Sequence, residues 1–228
     1  MNNHKRAKNL QIWVIVPAFN EQGTITNVIK NVLRVTSHIL VVDDGSTDQT
    51  SIRLAKLPVV VIRNPKNLGY VKSLEKGLHY AFAHHADYAI TYDADGQHLS
   101  IDLRQFLSLI EKTHPDIIFG NRSFKNRLAE NIFSYYSKRY LRISDPFCGF
   151  KAYKKSFFAK IGNKLENHYS VGTENAIHYI NTQKASVYEI NLTTVKRKDE
   201  SRFAGRIYGN LLEFYSALNL IWYVRASR

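Results

Sequence analysis

In the first half of the chain, short β-branched apolar runs alternate with segments whose apolar residues recur at helical spacing. Ile12–Val16, Ile39–Val42, Val59–Ile62, Tyr88–Thr91 and Ile117–Phe119 read as strands. Glu21–Val35 reads as a helix, with Ile25, Val28, Ile29 and Val32 on one face. Thr47–Leu57, Gly69–His84 and Ile101–Lys112 read as further helices. This spacing predicts βαβ units and an α/β fold with a mostly parallel central sheet. The alternation stops near Gly120. Beyond it the pattern predicts helices at Asn126–Leu141 and Gly172–Thr182, a loop entering a strand over Asp145–Tyr153, and a strand at Val187–Ile190. Lys196–Gly205 reads as a charged loop and Ile207–Tyr223 as a terminal helix. No repeat or Pro/Gly-rich linker divides the chain. A polar basic tail over residues 1–10 and one domain over 11–228 are expected.

Polar clusters gather where the strands end. The first strand runs into Pro17-Ala18-Phe19-Asn20-Glu21, the second into Asp43-Asp44-Gly45-Ser46, the third into Asn64-Pro65, and the fourth into Asp93-Ala94-Asp95-Gly96-Gln97. In an open α/β sheet, ligands bind beyond the carboxyl ends of the strands. Asp93 and Asp95 are two apart, so extended backbone would point them to one side. With the Gln97 carbonyl they offer an all-oxygen site suited to Mg²⁺ or Mn²⁺. Adjacent Asp43 and Asp44 cannot face the same way in a regular strand. One is free to meet a nucleotide, whereas Asp-Gly-Ser-Thr-Asp also reads simply as a helix start.

Taken together, these segments resemble the inverting family 2 glycosyltransferases of the GT-A fold. The resemblance rests on Val14–Glu21 (VIVPAFNE), Val41–Thr47 (VVDDGST), Asn67–Gly69 (NLG), Tyr92–His98 (YDADGQH), Gly120–Arg122 (GNR) and Asp145–Lys151 (DPFCGFK), with a looser match at Thr194–Arg202. It covers about residues 11–205. The D-A-D-G-Q-H form is most similar to the polyprenyl-phosphate sugar synthases, of the dolichol-phosphate mannose synthase type. The resemblance implies a single Rossmann-like GT-A domain. It implies that Pro17, Asn20 and Glu21 line a nucleotide-sugar pocket, that Asp44 meets the base and Asp93 the ribose. Asp95 and Gln97 would bind Mg²⁺ or Mn²⁺, and Arg122 would reach a phosphate. Arg197 and Arg202 would close over the donor diphosphate or the acceptor phosphate. Where the family has a Gly-Ser-Lys-like turn, this chain has Glu200-Ser201-Arg202.

Charge bears on the acceptor. The net charge is +13. Residues 121–164 hold 11 Lys/Arg against 2 Asp/Glu, whereas residues 1–120 hold 13 against 11. Residues 11–120 therefore read as the nucleotide-sugar half, and 121–205 as a cationic acceptor half that favours an anionic partner. A phosphate monoester is largely a dianion at neutral pH and attacks without a strong base. A sugar hydroxyl needs a carboxylate base, for which Asp145 and Glu174 are candidates. The expected reaction is transfer from a UDP-, GDP- or dTDP-linked sugar to a polyprenyl phosphate; the alternative is extension of a glycan. Two other classes fit poorly. A sugar nucleotidyltransferase would carry a Gly-rich basic loop after the first strand. Five strand-end carboxylates would repel a nucleic-acid backbone.

Localisation follows from smaller signals. Cys148 is the only cysteine, which excludes an intrachain disulfide and fits a reducing, cytoplasmic setting. No signal peptide is expected in residues 1–9, and the longest charge-free runs, Asn9–Asn20 and Phe214–Val224, are too short to span a bilayer. In residues 206–228, Leu211, Phe214, Tyr215, Leu218, Ile221 and Trp222 recur at helical spacing, flanked by Arg206, Arg225 and Arg228. That pattern fits an amphipathic helix in peripheral contact with the inner face of a membrane, or one packed on the core.

Overall fold

A computed structural model describes residues 10–123, 128–165, 173–182 and 185–193, together with Tyr215, Leu218, Ile221, Trp222 and Arg225. The elements run β1 (Ile12–Ala18), α1 (Ile25–Leu33), β2 (Ile39–Asp43), α2 (Thr50–Leu54), β3 (Val60–Arg63), α3 (Tyr70–Ala83), β4 (Tyr88–Thr91), α4 (Ser100–Thr113), β5 (Ile117–Arg122), α5 (Leu128–Leu141), β6 (Lys151–Lys154), α6 (Lys155–Lys160), α7 (Thr173–Thr182) and β7 (Val187–Leu192).

The strands form one seven-stranded sheet in the order β3-β2-β1-β4-β6-β5-β7. All neighbours are parallel except β6, which is antiparallel to both β4 and β5. The register places Ala152 of β6 between Ile90 of β4 and Ile118 of β5, a small residue between two branched ones. β1 and β2 are unbroken apolar runs because both faces of the sheet are covered. On one face, Ile15, Val42, Ala89 and Phe119 pack under α3, α6 and α7. On the other, Val14, Val16, Val41 and Ile90 pack under α1 and α4.

The chain first winds outward from β1 to β2 and β3. It then returns to β4 on the other side of β1. The two directions part between β1 and β4, and that crevice is where such a sheet accepts a ligand. Gly77 lets α3 lie close against β1: a Cβ there would stand 2.2 Å from Ile15 Cγ2.

Several element boundaries differ from the expected ones. α1 starts at Ile25, not Glu21, because Glu21 closes a turn whose carbonyl accepts from the amides of Thr24 and Ile25. α2 spans only Thr50–Leu54, because residues 44–49 are held in loop form by side-chain bonds. β6 was expected only as a loop entering a strand, and α6 was not anticipated. Of the expected 1–10 tail only Leu10 is among the described residues, and residues 194–214 lie outside them.

Candidate active site

The strand ends meet as the pattern predicts, yet most acids there are already engaged. Asp43 and Asp44 diverge. Asp43 turns back into its own loop: its Oδ1 accepts from the Ser46 amide at 2.9 Å, and its Oδ2 accepts from the Ser51 hydroxyl. It therefore builds the helix start. Asp44 turns the other way and is 3% exposed. Its Oδ1 accepts from Asn64 Nδ2 at 2.8 Å and from the Leu68 amide at 2.9 Å, and its Oδ2 from the Gly69 amide at 2.8 Å. Lys76 Nζ donates to Asn64 Oδ1 at 2.6 Å, so the network continues into α3. The Asn-Leu-Gly segment is thus tied to the end of β2. Gly45, at φ 74°, packs on the same loop, where a Cβ would come within 2.7 Å of the Lys66 carbonyl carbon.

Pro17 is buried in β1 beside Val42. Asn20 sits at φ 54°, a conformation Asn tolerates better than most residues. Its Oδ1 accepts from the Thr47 amide at 2.8 Å, and its amide donates to Ser46 Oγ at 3.0 Å. Asn20 therefore clamps the loop after β1 to the loop after β2. Glu21 is buried and accepts from Thr24 Oγ1 at 2.7 Å.

After β4 the backbone does not stay extended. A turn at 94–96, with Gly96 at φ 79°, separates Asp93 from Asp95. The two carboxylates therefore do not line one side of a strand. Asp93 accepts from the Tyr70 hydroxyl and from His98 Nε2, the latter at 3.1 Å. Gly149 lies against it, with no space for a Cβ beside the Asp93 oxygens. Burial raises the Asp93 carboxyl, but the His98 hydrogen bond and charge, the Tyr70 hydrogen bond and the Arg122 charge outweigh it and hold the group below the ordinary aspartate value. The Tyr70 hydroxyl is driven well above its ordinary value by burial and by Asp93. His98 must carry its proton on Nε2 to donate. Its buried Nδ1 has no hydrogen-bond partner among the described residues. Asp95 Oδ1 accepts from the Gln97 amide at 3.0 Å, and both side chains are half-buried at the turn.

At the end of β5, Arg122 and Asp145 form a bidentate pair. Nε donates to Oδ2 at 2.7 Å and Nη2 to Oδ1 at 3.0 Å, and the Arg122 amide adds a third bond at 3.2 Å. Asp145 is 1% exposed. Its loop is pinned from three sides. Glu189 of β7 accepts from the amide and hydroxyl of Ser144, Ser134 and Ser137 of α5 donate to the carbonyls of Ser144 and Ile143, and Thr173 of α7 donates to the Pro146 carbonyl. Cys148, inside this loop, is pushed up to about 12 by burial and the Asp145 charge.

The sequence pattern gives Tyr70 and Glu189 no role, and marks Asn64 only as a strand end and His98 only within its motif. The signals were weak: a tyrosine directly after Asn-Leu-Gly, an asparagine at a strand end, and an acid inside a strand pattern. Asp102, buried in the first turn of α4, was also missed; it accepts from the Thr193 amide at 3.0 Å, holding the end of β7. The Glu174 side chain, Arg197 and Arg202 lie outside the described residues.

The metal expectation can be tested against the donor set. Asp95 offers carboxylate oxygens and Gln97 an amide-carbonyl oxygen, ligands that fit a hard cation. Among the described residues no three His, Cys, Asp or Glu side chains cluster closely enough to hold a cation by themselves. The residues fit a cation only as a partial shell completed by substrate oxygens.

A mostly parallel sheet with a switch point between β1 and β4 and an antiparallel β6 is the architecture of the GT-A fold. The chain belongs to the family "Glycosyl transferase family 2", whose model matches residues 13–165, and it is a glycosyltransferase. It is 34% identical to an uncharacterised protein of Methanocaldococcus jannaschii, over 75% of this chain and 92% of that one. It is 26% identical to the UDP-N-acetylglucosamine–dolichyl-phosphate N-acetylglucosaminyltransferase of Methanococcus voltae, over 81% and 85%. Its fold matches glucosyl-3-phosphoglycerate synthase of Mycobacterium tuberculosis, solved with Mn²⁺, UDP and glucosyl-3-phosphoglycerate, with a TM-score of 0.71 at 17% identity, over 96% of this chain and 80% of that one.

Proposed function

We propose that this glycosyltransferase moves a sugar, with inversion, from a nucleotide sugar to a polyprenyl phosphate. The observation that carries the acceptor half of this reading is the Arg122–Asp145 pair. Both oxygens of Asp145 are committed to the guanidinium, and the carboxyl is buried. Both oxygens of that carboxylate point at the guanidinium and not at an acceptor hydroxyl. Asp145 is better suited to aim Arg122 than to act as a base, and an acceptor already ionised needs no base. The Methanococcus voltae relative, which acts on dolichyl phosphate by its name, supports the same class.

In this reading Pro17, Asn20, Glu21 and Asp44 build the base end of the donor pocket. Asp44 acts by holding residues 64–69 in shape. Asp93, oriented by Tyr70 and His98, meets the ribose. Asp95 and Gln97 would hold Mg²⁺ or Mn²⁺, which would supply positive charge against the leaving diphosphate. Arg122 holds a phosphate, and Arg197 and Arg202 add cationic charge. The enzyme works at the cytoplasmic face of a membrane, where its lipid acceptor resides.

The test is a panel of UDP-, GDP- and dTDP-sugars with Mg²⁺ or Mn²⁺, read by thermal shift, followed by transfer assays to a short-chain polyprenyl phosphate and to a saccharide. A saturating donor, at about 100 times its Kd, is expected to stabilise the protein by about 2.7 kcal/mol, and Asp95→Ala is expected to abolish the metal-dependent part. A metal-dependent shift that survives Asp95→Ala would overturn the metal assignment. Transfer to the saccharide alone would overturn the lipid acceptor.

A further inference from the structure

We infer that Asp44 has room for one more hydrogen bond and no second, and so selects a donor whose base presents a single ring N–H, uracil or thymine, over guanine. The inference rests on the nucleotide-sugar reading and adds the class of base to it. An ionised carboxylate offers about four lone-pair positions, two on each oxygen. Both positions of Asp44 Oδ1 are taken, by Asn64 Nδ2 at 2.8 Å and by the Leu68 amide at 2.9 Å. One position of Oδ2 is taken, by the Gly69 amide at 2.8 Å. No other described residue donates to this carboxylate. A single position, on Oδ2, is left for a ligand.

The occupied flank is fixed. Lys76 Nζ only donates, and it donates to Asn64 Oδ1 at 2.6 Å. The Asn64 amide therefore cannot turn round, and its Nδ2 stays on Asp44 and on Ser73 Oγ, the latter at 3.2 Å. Asn64 is 1% exposed and Ser73 is fully buried, so this flank is closed. The Oδ2 flank differs. Gly69 sits at φ 96°, and a Cβ added there would meet no atom within 4 Å. The open position of Asp44 thus lies on the oxygen that has space beside it. Asp44 is only 3% exposed, which suits one contact with the edge of a base. The bases differ in what they bring to that edge. Uracil and thymine bring one donor, N3–H, between two carbonyls. Guanine brings N1–H and an N2 amino group side by side, a pair that spans both oxygens of a carboxylate. With Oδ1 full, one guanine donor is left unpaired in a closed corner. Cytosine and adenine turn a ring-nitrogen lone pair toward the carboxylate, where two acceptors oppose each other. An unpaired buried donor or acceptor weakens binding by about tenfold or more.

The full chain is titrated by calorimetry with UDP, dTDP, GDP, CDP and N3-methyl-UDP, each with Mn²⁺. UDP or dTDP is expected to bind about tenfold or more tightly than the other three. CDP matches UDP in size and charge but carries a lone pair at N3, and N3-methyl-UDP lacks only the proton. The two therefore separate the hydrogen bond from the shape of the ring. Asp44→Asn replaces one acceptor oxygen by a donor, and is expected to cut the preference for UDP over CDP to about threefold or less. If circular dichroism shows that this variant does not fold, the comparison of UDP with N3-methyl-UDP on the wild-type chain decides. GDP bound as tightly as UDP and dTDP, or N3-methyl-UDP bound as tightly as UDP, would overturn the choice of base and leave sugar transfer standing. A chain that binds none of the five would lose the nucleotide-sugar reading and this inference with it.

Discussion

Arg122 and Asp145 show how much a single pair contributes here. Two charges leave water together and are compensated by three hydrogen bonds, one of them from a backbone amide. The asymmetry of their burial sets what each substitution does. Arg122→Ala strands a carboxylate that is 1% exposed, and such uncompensated buried charges cost about 3–5 kcal/mol. Asp145→Asn leaves a guanidinium whose side chain is 19% exposed and can turn toward water; it is expected to cost less, about 1–2 kcal/mol. Replacing both with apolar residues, Arg122→Met with Asp145→Leu, is expected to recover most of the Arg122→Ala loss, since neither charge is left alone. Urea unfolding of the three variants checks the order. If Arg122→Ala proves no worse than Asp145→Asn, the pair is not a buried one in solution. None of this was legible in the sequence. The partners are 23 residues apart, and the reading treated one as a phosphate ligand and the other as a base.

At the level of elements, the period of the apolar residues identified most of the sheet and its parallel helices, since residues such as Val28, Ile29 and Val32 reveal a helix face by themselves. The pattern marks a strand at the end of Asp145–Tyr153 but not the bounds of β6, Lys-Ala-Tyr-Lys, because a four-residue strand between polar ends carries little periodicity. Its place between β4 and β5 is set by pairing over 60 residues of chain, which local pattern does not encode. Asp44 was legible as a functional position, but its actual bonds to Leu68 and Gly69 depend on how the third crossover closes. The contact of α3 with β1 is a further case, and it gives a prediction. Ala is a better helix former than Gly by about 1 kcal/mol, so Gly77→Ala in an isolated helix would stabilise. Here the new Cβ would lie 2.2 Å from Ile15 Cγ2 and 3.3 Å from Val42 Cγ2. Overpacking of that kind costs about 1–3 kcal/mol, and more when a helix must move bodily from a sheet. The clash wins, and Gly77→Ala is expected to be net destabilising by about 1–2 kcal/mol, with Ile15→Val restoring part of it. A stabilised Gly77→Ala, by thermal melt, would mean α3 sits farther from the sheet.

For the whole molecule, charge and topology change at the same place. The strands β1 to β4 carry the acids and almost no excess charge, while the block at 121–164, which contains the end of β5, α5, β6 and α6, carries nine excess positive charges. The acidic ends of β1, β2 and β4 do not repel a donor diphosphate if a cation intervenes, and in that part the field is short-ranged and local. The block at 121–164, with 11 Lys/Arg against 2 Asp/Glu, has no such compensation. Its field reaches an approaching anion over roughly a Debye length, about 10 Å at 0.1 M salt. The two substrates should therefore respond differently to ionic strength. Raising salt from about 0.05 to 0.5 M shortens that reach severalfold. If the proposed sites hold, the KM for an anionic acceptor is expected to rise by about fivefold or more, while the KM for a donor bound through a cation and fixed hydrogen bonds changes by about twofold or less. Both constants are measured with water-soluble substrates, so that vesicle binding does not enter. Lys138→Glu/Arg139→Glu, which reverses charge on exposed α5 without touching the strand ends, is expected to weaken the acceptor at low salt and to flatten its salt dependence. Equal salt dependence of the two constants would mean that the cationic block does not face the acceptor. A steep dependence that survives the double charge reversal would place the steering charge elsewhere in the acceptor half.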